Sequence, residues 1–334
     1  MIYYLPLEHI DKRYTADMDD QIMRELRKQN KSFIKIDGEL ADQTIDTGAF
    51  LDASGTFIWK FSQLSQVAEL FRNGVIKPFD TFFISDIWFP GVESIRYMSH
   101  FYKIPVQLKG MLHAGSFTET DYVRGMESWA QWTERGWLQM FDKVFLGSNT
   151  IAQELYSKGR VIDPLRVQVT GLPFSTTDLY EKYGQPKSWN EKDELVVFVG
   201  RLDMEKQPWK FEQLEKDFRA KYPASDVKFV KSMDLKLSKA DYFKLLSSAK
   251  VVYSAALQEN FGYGVLEATA YGCMPILPNR LSYKDFFPEH CLYSSDQDAL
   301  NKLSDIFYGK RPDVDHTWYA KVHDTNTEDI VSQL

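Results

Sequence analysis

Cysteine is scarce in this chain. Its 334 residues hold two, Cys273 and Cys291, too few for the disulfide framework that staples small secreted folds. Both stand near candidate buried strands and read as reduced, packed thiols. No group of Cys and His has metal-ligand spacing, so no metal is expected. Apolar runs are only a handful of residues long, too short to span a bilayer. Met1–Leu7 is followed by Glu8, His9 and Asp11, without the basic flank of a signal peptide, and a cytoplasmic location is expected. Positive charge is not in excess: 40 Lys and Arg stand against 47 Asp and Glu, a net −7. Residues up to Ser175 carry 19 basic and 22 acidic side chains, and the remainder 21 and 25. Neither half has the footprint of a strong non-specific DNA binder. One local exception is Lys228, Lys231, Lys236, Lys239, Lys244 and Lys250, set against Asp226, Asp234 and Asp241. A solvated helix face and a phosphate-tracking rim are both readings of it.

What is present is a globular composition, 44% hydrophobic and 26% charged, at a length suited to two domains. Strand-like and helix-like segments alternate, the signature of parallel sheets wrapped by helices. Candidate strands are residues 2–5, 32–36, 81–85, 106–112, 143–146 and 167–170, then 195–199, 227–230, 250–253 and 274–277. Candidate helices are residues 18–29, 62–73, 122–140 and 151–158, then 209–221, 239–249, 262–271 and 298–308. Ser238 followed by Asp241 predicts a capped helix start. The stretch Gly171–Glu194 is rich in Gly, Pro, Ser and charge and reads as a linker. The expected organisation is a domain over 1–175, a linker over 176–194, a second domain over 195–312 and a tail over 313–334.

Two strand ends carry the chemistry. The first is Val196-Val197-Phe198-Val199-Gly200-Arg201-Leu202-Asp203-Met204-Glu205-Lys206, where a buried strand stops at a glycine and a basic residue follows. Pro208 then stands where a helix starts, a place at which a missing N–H costs nothing. Arg201 and Lys206 therefore emerge at the carboxyl end of a parallel sheet, where open α/β sheets bind ligands. The second is Gln258-Glu259-Asn260-Phe261-Gly262-Tyr263-Gly264-Val265-Leu266-Glu267-Ala268, after the apolar run Val251–Tyr253. It reads as strand, tight loop and helix start, with one carboxylate on the loop and the other about a turn into the helix. Glycines admit close approach of a ligand, and the first helical N–H groups favour an anion.

These motifs resemble the E-x7-E and G-R-L-x-x-E-K elements of retaining, family 4-like glycosyltransferases of the GT-B fold. The resemblance implies an α/β protein of two Rossmann-like domains facing across a cleft, with a C-terminal helix crossing back to the first domain. It implies a nucleotide-sugar co-substrate, a UDP- or GDP-sugar, no cofactor, and retention at the anomeric carbon without metal. Carried over by position, Arg201 and Lys206 neutralise the diphosphate beside Gly200, and Glu259 receives the sugar hydroxyls. The backbone of Phe261 and Gly262 faces sugar and phosphate, and Glu267 holds the ribose. An exposed Arg and Lys at a strand end, and an exposed helix carboxylate at Glu267, are the structural alternatives.

In the first half Leu112-His113-Ala114-Gly115-Ser116 follows a strand, and the resemblance places a histidine at this strand end against the donor sugar. Asp86, in Ser85-Asp86-Ile87-Trp88-Phe89-Pro90-Gly91, is a candidate base for an inverting reaction or a helix cap. Ser148-Asn149 is similar to the family's small polar turn, or caps a helix. The family's Gly-Gly loop after the first strand is replaced by Tyr3-Tyr4-Leu5-Pro6-Leu7-Glu8-His9, then Arg13-Tyr14-Thr15. Tyr4, Tyr14, Trp88 and Phe117, with Arg13, are candidates to stack on a flat acceptor, or are core. The run Gly272–Tyr283 with Phe287-Pro288 looks like the C-terminal domain of queuosine-tRNA mannosyltransferases. The opening Tyr-Tyr-x-Pro-Leu-Glu with Arg-Tyr-Thr looks like phage-encoded glycosyltransferases linked to hypermodified DNA, which would act in the host cytoplasm. Both resemblances imply a nucleobase hydroxyl as acceptor; the order of readings is 5-hydroxymethylcytosine in DNA, then modified tRNA, then a glycan or lipid. A dinucleotide-dependent oxidoreductase is disfavoured because no strand is followed by G-x-G-x-x-G. A non-catalytic nucleotide-sugar-binding protein is the reading from a different class.

Overall fold

The computed structural model describes residues 1–9, 14–40, 52–161, 163–310 and 315–334. The chain divides into two compact units, residues 1–174 with 325–334, and residues 175–324. Each is a parallel sheet wrapped by helices. Their inner strands are almost wholly buried, as sheets covered on both faces require, while most strands at the sheet edges are partly exposed.

Unit 1 runs β1 (Ile2–Leu5), α1 (Tyr14–Lys28), β2 (Phe33–Lys35), α2 (Ala53–Arg72), β3 (Thr81–Ile84), α3 (Glu93–Tyr102), β4 (Gln107–Leu112), α4 (Glu127–Met140), β5 (Lys143–Leu146), α5 (Asn149–Ser157) and β6 (Val167–Val169). The strand order is β2-β1-β3-β4-β5-β6, and every pairing is parallel. After β1 the chain moves outward to β2 and then returns to β3 on the other side, which makes the β1/β3 boundary a switch point.

Unit 2 runs α6 (Thr176–Tyr183), β7 (Asp193–Phe198), α7 (Pro208–Lys221), β8 (Lys228–Lys231), α8 (Lys239–Ser248), β9 (Ala249–Tyr253), α9 (Tyr263–Ala270), β10 (Met274–Pro278), α10 (Tyr283–Phe286), β11 (Leu292–Tyr293), α11 (Asp296–Tyr308) and α12 (Thr317–Lys321). Its strand order β11-β10-β9-β7-β8 puts the switch point between β7 and β9. Those are the two strands whose ends carry the motifs.

The last helix, α13 (Asn326–Ser332), belongs to unit 1. It packs on α1 and buries Ile330 and Val331, while Asn326 donates to the Leu172 carbonyl at 2.9 Å. Serines start several helices as their hydrogen-bonding predicts: the Ser148, Ser175, Ser238 and Ser295 hydroxyls each accept from a first-turn N–H. Ser148 is thus a cap. The stretch read as a linker carries α6 and a 3₁₀ turn at Trp189–Glu191. Helix α3 and the two-residue β11 lie outside the sequence reading, β11 being too short to show a period.

Candidate functional site

At the unit 2 switch point, β7 ends at Phe198, and Gly200 and Arg201 follow. Residues 204–206 form a 3₁₀ turn that carries Lys206 inward, where it is 8% exposed. The Lys206 ammonium donates to the Gln258 carbonyl and lies 3.2 Å from the Glu259 carboxylate. The other Glu259 oxygen accepts from the Gly262 N–H at 3.0 Å. The Leu257 N–H donates to the Glu205 carbonyl at 2.7 Å, so the loops after β7 and β9 are laced together. Arg201 pairs with Glu205 and, at 3.4 Å, with Asp203. Gly262 takes φ +85°, a backbone state that disfavours any side chain, and it caps α9. Phe261 is buried. Glu267 accepts from the Tyr242 hydroxyl at 3.0 Å. Burial, followed by the Glu267 charge, pushes the Tyr242 phenol well above its usual range and keeps it a donor.

The arrangement concentrates a fixed ammonium, a guanidinium, a glycine-opened helix start and two carboxylates at one sheet edge. A diphosphate and hydroxyl-rich sugars match it chemically. Sequence reading missed Tyr242, and it placed Glu205 and Tyr283 within motifs without giving them a role. The Tyr283 ring lies 3.4 Å from where a Gly262 side chain would begin, and its hydroxyl hydrogen-bonds Ser254 at 2.9 Å.

In unit 1 the ends of β3 and β4 bring three sequence candidates together. His113 Nε2 donates to the Ser85 carbonyl at 2.8 Å, and Nδ1 lies 3.4 Å from the Tyr14 hydroxyl. Burial lowers the His113 pKa, which favours the neutral ring with Nδ1 as acceptor. Asp86 accepts from the Trp88 N–H at 3.1 Å and lies 3.5 Å from Lys60 on α2. Lys60 also donates to the Trp88 carbonyl. The Trp88 indole donates to Glu134 at 3.0 Å and meets Trp137 edge-on. Glu134 is buried and also accepts from Ser116 and from Arg160 at 3.1 Å.

Arg13 lies outside the described residues. Tyr4 and Phe117, two of the four candidate stacking aromatics, are fully in the core at 0% and 3% exposure and present no ring to a ligand. In the lysine-rich stretch, Lys231 pairs with Glu212, Lys244 with Asp241 and Lys250 with Glu194. That pairing favours the solvated-face reading. Among the described residues no group of His, Cys, Asp and Glu is arranged to hold a metal, and no helix is long and apolar enough to cross a membrane.

The Phe261 loop rests on an acid-sensitive neighbour. His323 meets Phe261 and Phe286 edge-on at 5.2 and 4.7 Å, and burial holds its pKa down at about 4. Between pH 6.5 and pH 4 the unfolded chain takes up a proton that the folded state refuses, so acidification favours unfolding by roughly 3 kcal/mol. Urea midpoints at the two pH values are expected to show this loss in the native protein. In His323→Phe the component disappears, and unchanged acid sensitivity in that variant contradicts the assignment.

No protein-family model matches the chain. A stretch of 67 residues is 39% identical to the tRNA-queuosine alpha-mannosyltransferase of Drosophila melanogaster, covering 20% of this chain and 18% of that protein. Among solved structures, the sucrose-phosphate synthase of Thermosynechococcus elongatus is 14% identical at a TM-score of 0.59, covering 100% of this chain and 94% of that one. An alpha-glucosyltransferase in complex with UDP-glucose and DNA containing an abasic site is 11% identical at 0.54, with 99% and 93% covered. The pneumococcal O-GlcNAc transferase GtfA, in complex with UDP and GlcNAc, is 13% identical at 0.54, and 80% of this chain spans 58% of that one. The fold is therefore that of the GT-B glycosyltransferases, two parallel-sheet α/β units.

Proposed function

We propose that the protein is a retaining glycosyltransferase that moves a sugar from a nucleotide-sugar to a nucleobase hydroxyl, 5-hydroxymethylcytosine in DNA. The observation that carries the reading is the meeting of Lys206, Glu259 and Gly262 at the β7/β9 switch point, in a chain whose fold is like that of transferases solved with UDP or UDP-glucose. In this reading Lys206, Arg201 and the α9 amides take the charge of the departing diphosphate, which a metal would otherwise offset. Glu259 holds the sugar and Glu267 the ribose. The leaving phosphate accepts the acceptor proton, so no carboxylate nucleophile is used. His113 and Tyr14 act on the sugar and acceptor side. Asp86 remains the candidate base for an inverting course, with Lys60 beside it.

A DNA acceptor is supported by the likeness to an alpha-glucosyltransferase solved with UDP-glucose and DNA. The stretch similar to tRNA-queuosine alpha-mannosyltransferase supports a second reading, modified tRNA. The test is a panel of UDP- and GDP-sugars offered with hydroxymethylated DNA, unmodified DNA and queuosine tRNA. Digested nucleosides are read by mass spectrometry, and excess EDTA is included in parallel. Labelling of hydroxymethylated DNA alone, persisting in EDTA, is the expected result. Labelling of the tRNA alone replaces the acceptor. Activity abolished by EDTA and restored by Mg2+ or Mn2+ replaces the leaving-group chemistry.

A further inference from the structure

Unit 1 carries an aromatic surface with lysines at the end of its own sheet opposite Asp86 and His113. Phe79 is 74% exposed, Tyr97 68%, Phe101 70% and Tyr102 45%. Three of these rings form a chain: Tyr97 stacks on Phe101 at 5.9 Å, Phe101 meets Tyr102 edge-on at 6.1 Å, and Tyr102 stacks on the buried Phe71 at 6.0 Å. The Phe79 N–H donates to the Pro105 carbonyl at 2.6 Å, which brings this residue beside the end of α3. Exposed aromatics in such number are unusual on a surface with nothing to bind. Phe79 and Lys103 precede β3 and β4, whereas Asp86 and His113 follow those strands.

Charge selects the occupant. Lys77 and Lys103 are exposed next to Phe79 and Tyr102 in the chain, and the exposed Arg72 pairs with Glu69 at 4.0 Å, in a chain whose net charge is −7. The single acidic side chain of α3, Glu93, stands in its first turn, at the other end of the helix from Lys103. Cations interleaved with stackable rings are what a nucleic-acid strand needs: phosphates meet the cations and bases meet the rings. A membrane surface would ask for a continuous apolar helix face. Here the exposed side of the ten-residue α3 mixes Tyr97 and Phe101 with His100, while Ile95 and Ser99 face inward.

We propose that this surface is a second contact for single-stranded or locally opened nucleic acid, which holds the acceptor strand at a distance from the reacting base. The inference rests on the nucleic-acid acceptor reading. Phe79 and Asp86 stand seven steps apart on either side of the four-residue β3, a separation of at most about 23 Å that a strand several nucleotides long can bridge.

The experiment is fluorescence anisotropy with a labelled 20-nucleotide single strand of DNA and with a trinucleotide, at 50 and 200 mM NaCl, on the full chain. Tyr97→Ala/Phe101→Ala is expected to weaken the 20-mer about tenfold or more and to leave the trinucleotide unchanged. Lys77→Gln/Lys103→Gln is expected to lower the slope of log affinity on log salt by about 0.7 per lysine. Release of nucleoside diphosphate from the donor without acceptor should stay at the native rate in both variants. Native affinity for the 20-mer in both variants, or no binding by the native protein, overturns the proposal. So does loss of binding to phosphatidylglycerol vesicles instead, or loss of a dimer seen by sedimentation. A native protein that releases no diphosphate from any sugar nucleotide removes the enzymatic reading, while the anisotropy series still decides the surface.

Discussion

Lys206→Met is expected to lower sugar transfer by about 100- to 1000-fold in a protein that still folds. A preorganised donor aimed at developing charge is worth about that much when it is lost. Lys206 has the attributes of such a donor. Its ammonium is buried, and its position is set by the Gln258 carbonyl and the Glu259 carboxylate. Little reorganisation is left to be done when the diphosphate departs. Arg201 is more exposed and already engaged by Asp203 and Glu205, so Arg201→Ala is the smaller lesion. Initial rates with the sugar nucleotide that the native protein uses decide the matter, with far-UV circular dichroism as the folding control. Activity within tenfold of native in folded Lys206→Met protein would mean that the phosphates are held elsewhere.

The second large effect is on stability. Lys192, just before β7, sends its ammonium into the interior, where it donates to the carbonyls of Ser247 at 2.8 Å, Ala249 at 2.9 Å and Tyr271 at 2.7 Å. These carbonyls close the ends of α8 and α9, and the Cys273 thiol shares the Ala249 carbonyl at 3.2 Å. Burial depresses the Lys192 pKa and pushes the Cys273 thiol up to about 11, so the thiol is neutral and the lysine is the group that satisfies the helix ends. Lys192→Met keeps the stem and removes the donors, taking this partner from the Ser247 and Tyr271 carbonyls and leaving the Ala249 carbonyl only the weak thiol donor. The expected cost is about 3–5 kcal/mol, read as a lower urea midpoint for the transition of unit 2. A loss below about 1 kcal/mol would show that water replaces the ammonium there.

What was legible in the sequence was whatever depends on near neighbours. Val196-Val197-Phe198 and Val251-Val252-Tyr253 announce buried parallel strands, and Ser238 announces the start of α8. The sheet-end position of Arg201, Lys206 and Glu259 follows from where those apolar runs stop. What was hidden depends on partners far along the chain. Lys60 finds Asp86 26 residues away, and Glu134 finds Trp88 46 residues away. A lysine or glutamate in a helix gives no sign of such a role until the sheet brings the loops together. Aromatic residues are ambiguous for the same reason. Tyr4 and Trp88 look equally suited to stacking, yet one stands on a central strand and is sealed, and the other stands on a loop. Glu267 was readable as a helix carboxylate, but its Tyr242 partner comes from the preceding helix α8.

The placement of α13 bears on how the protein is made. Unit 1 is interrupted: its first 174 residues emerge from the ribosome before unit 2, and its closing segment, residues 325–334, emerges after it. At about 5–20 residues per second, the 150 residues between them take roughly 8–30 s to synthesise. Throughout that time the side of α1 that α13 covers lacks its cover, and the Leu172 carbonyl lacks Asn326. The nascent chain thus carries an apolar face whose cover is encoded only after unit 2, so unit 1 cannot close before unit 2 has been made.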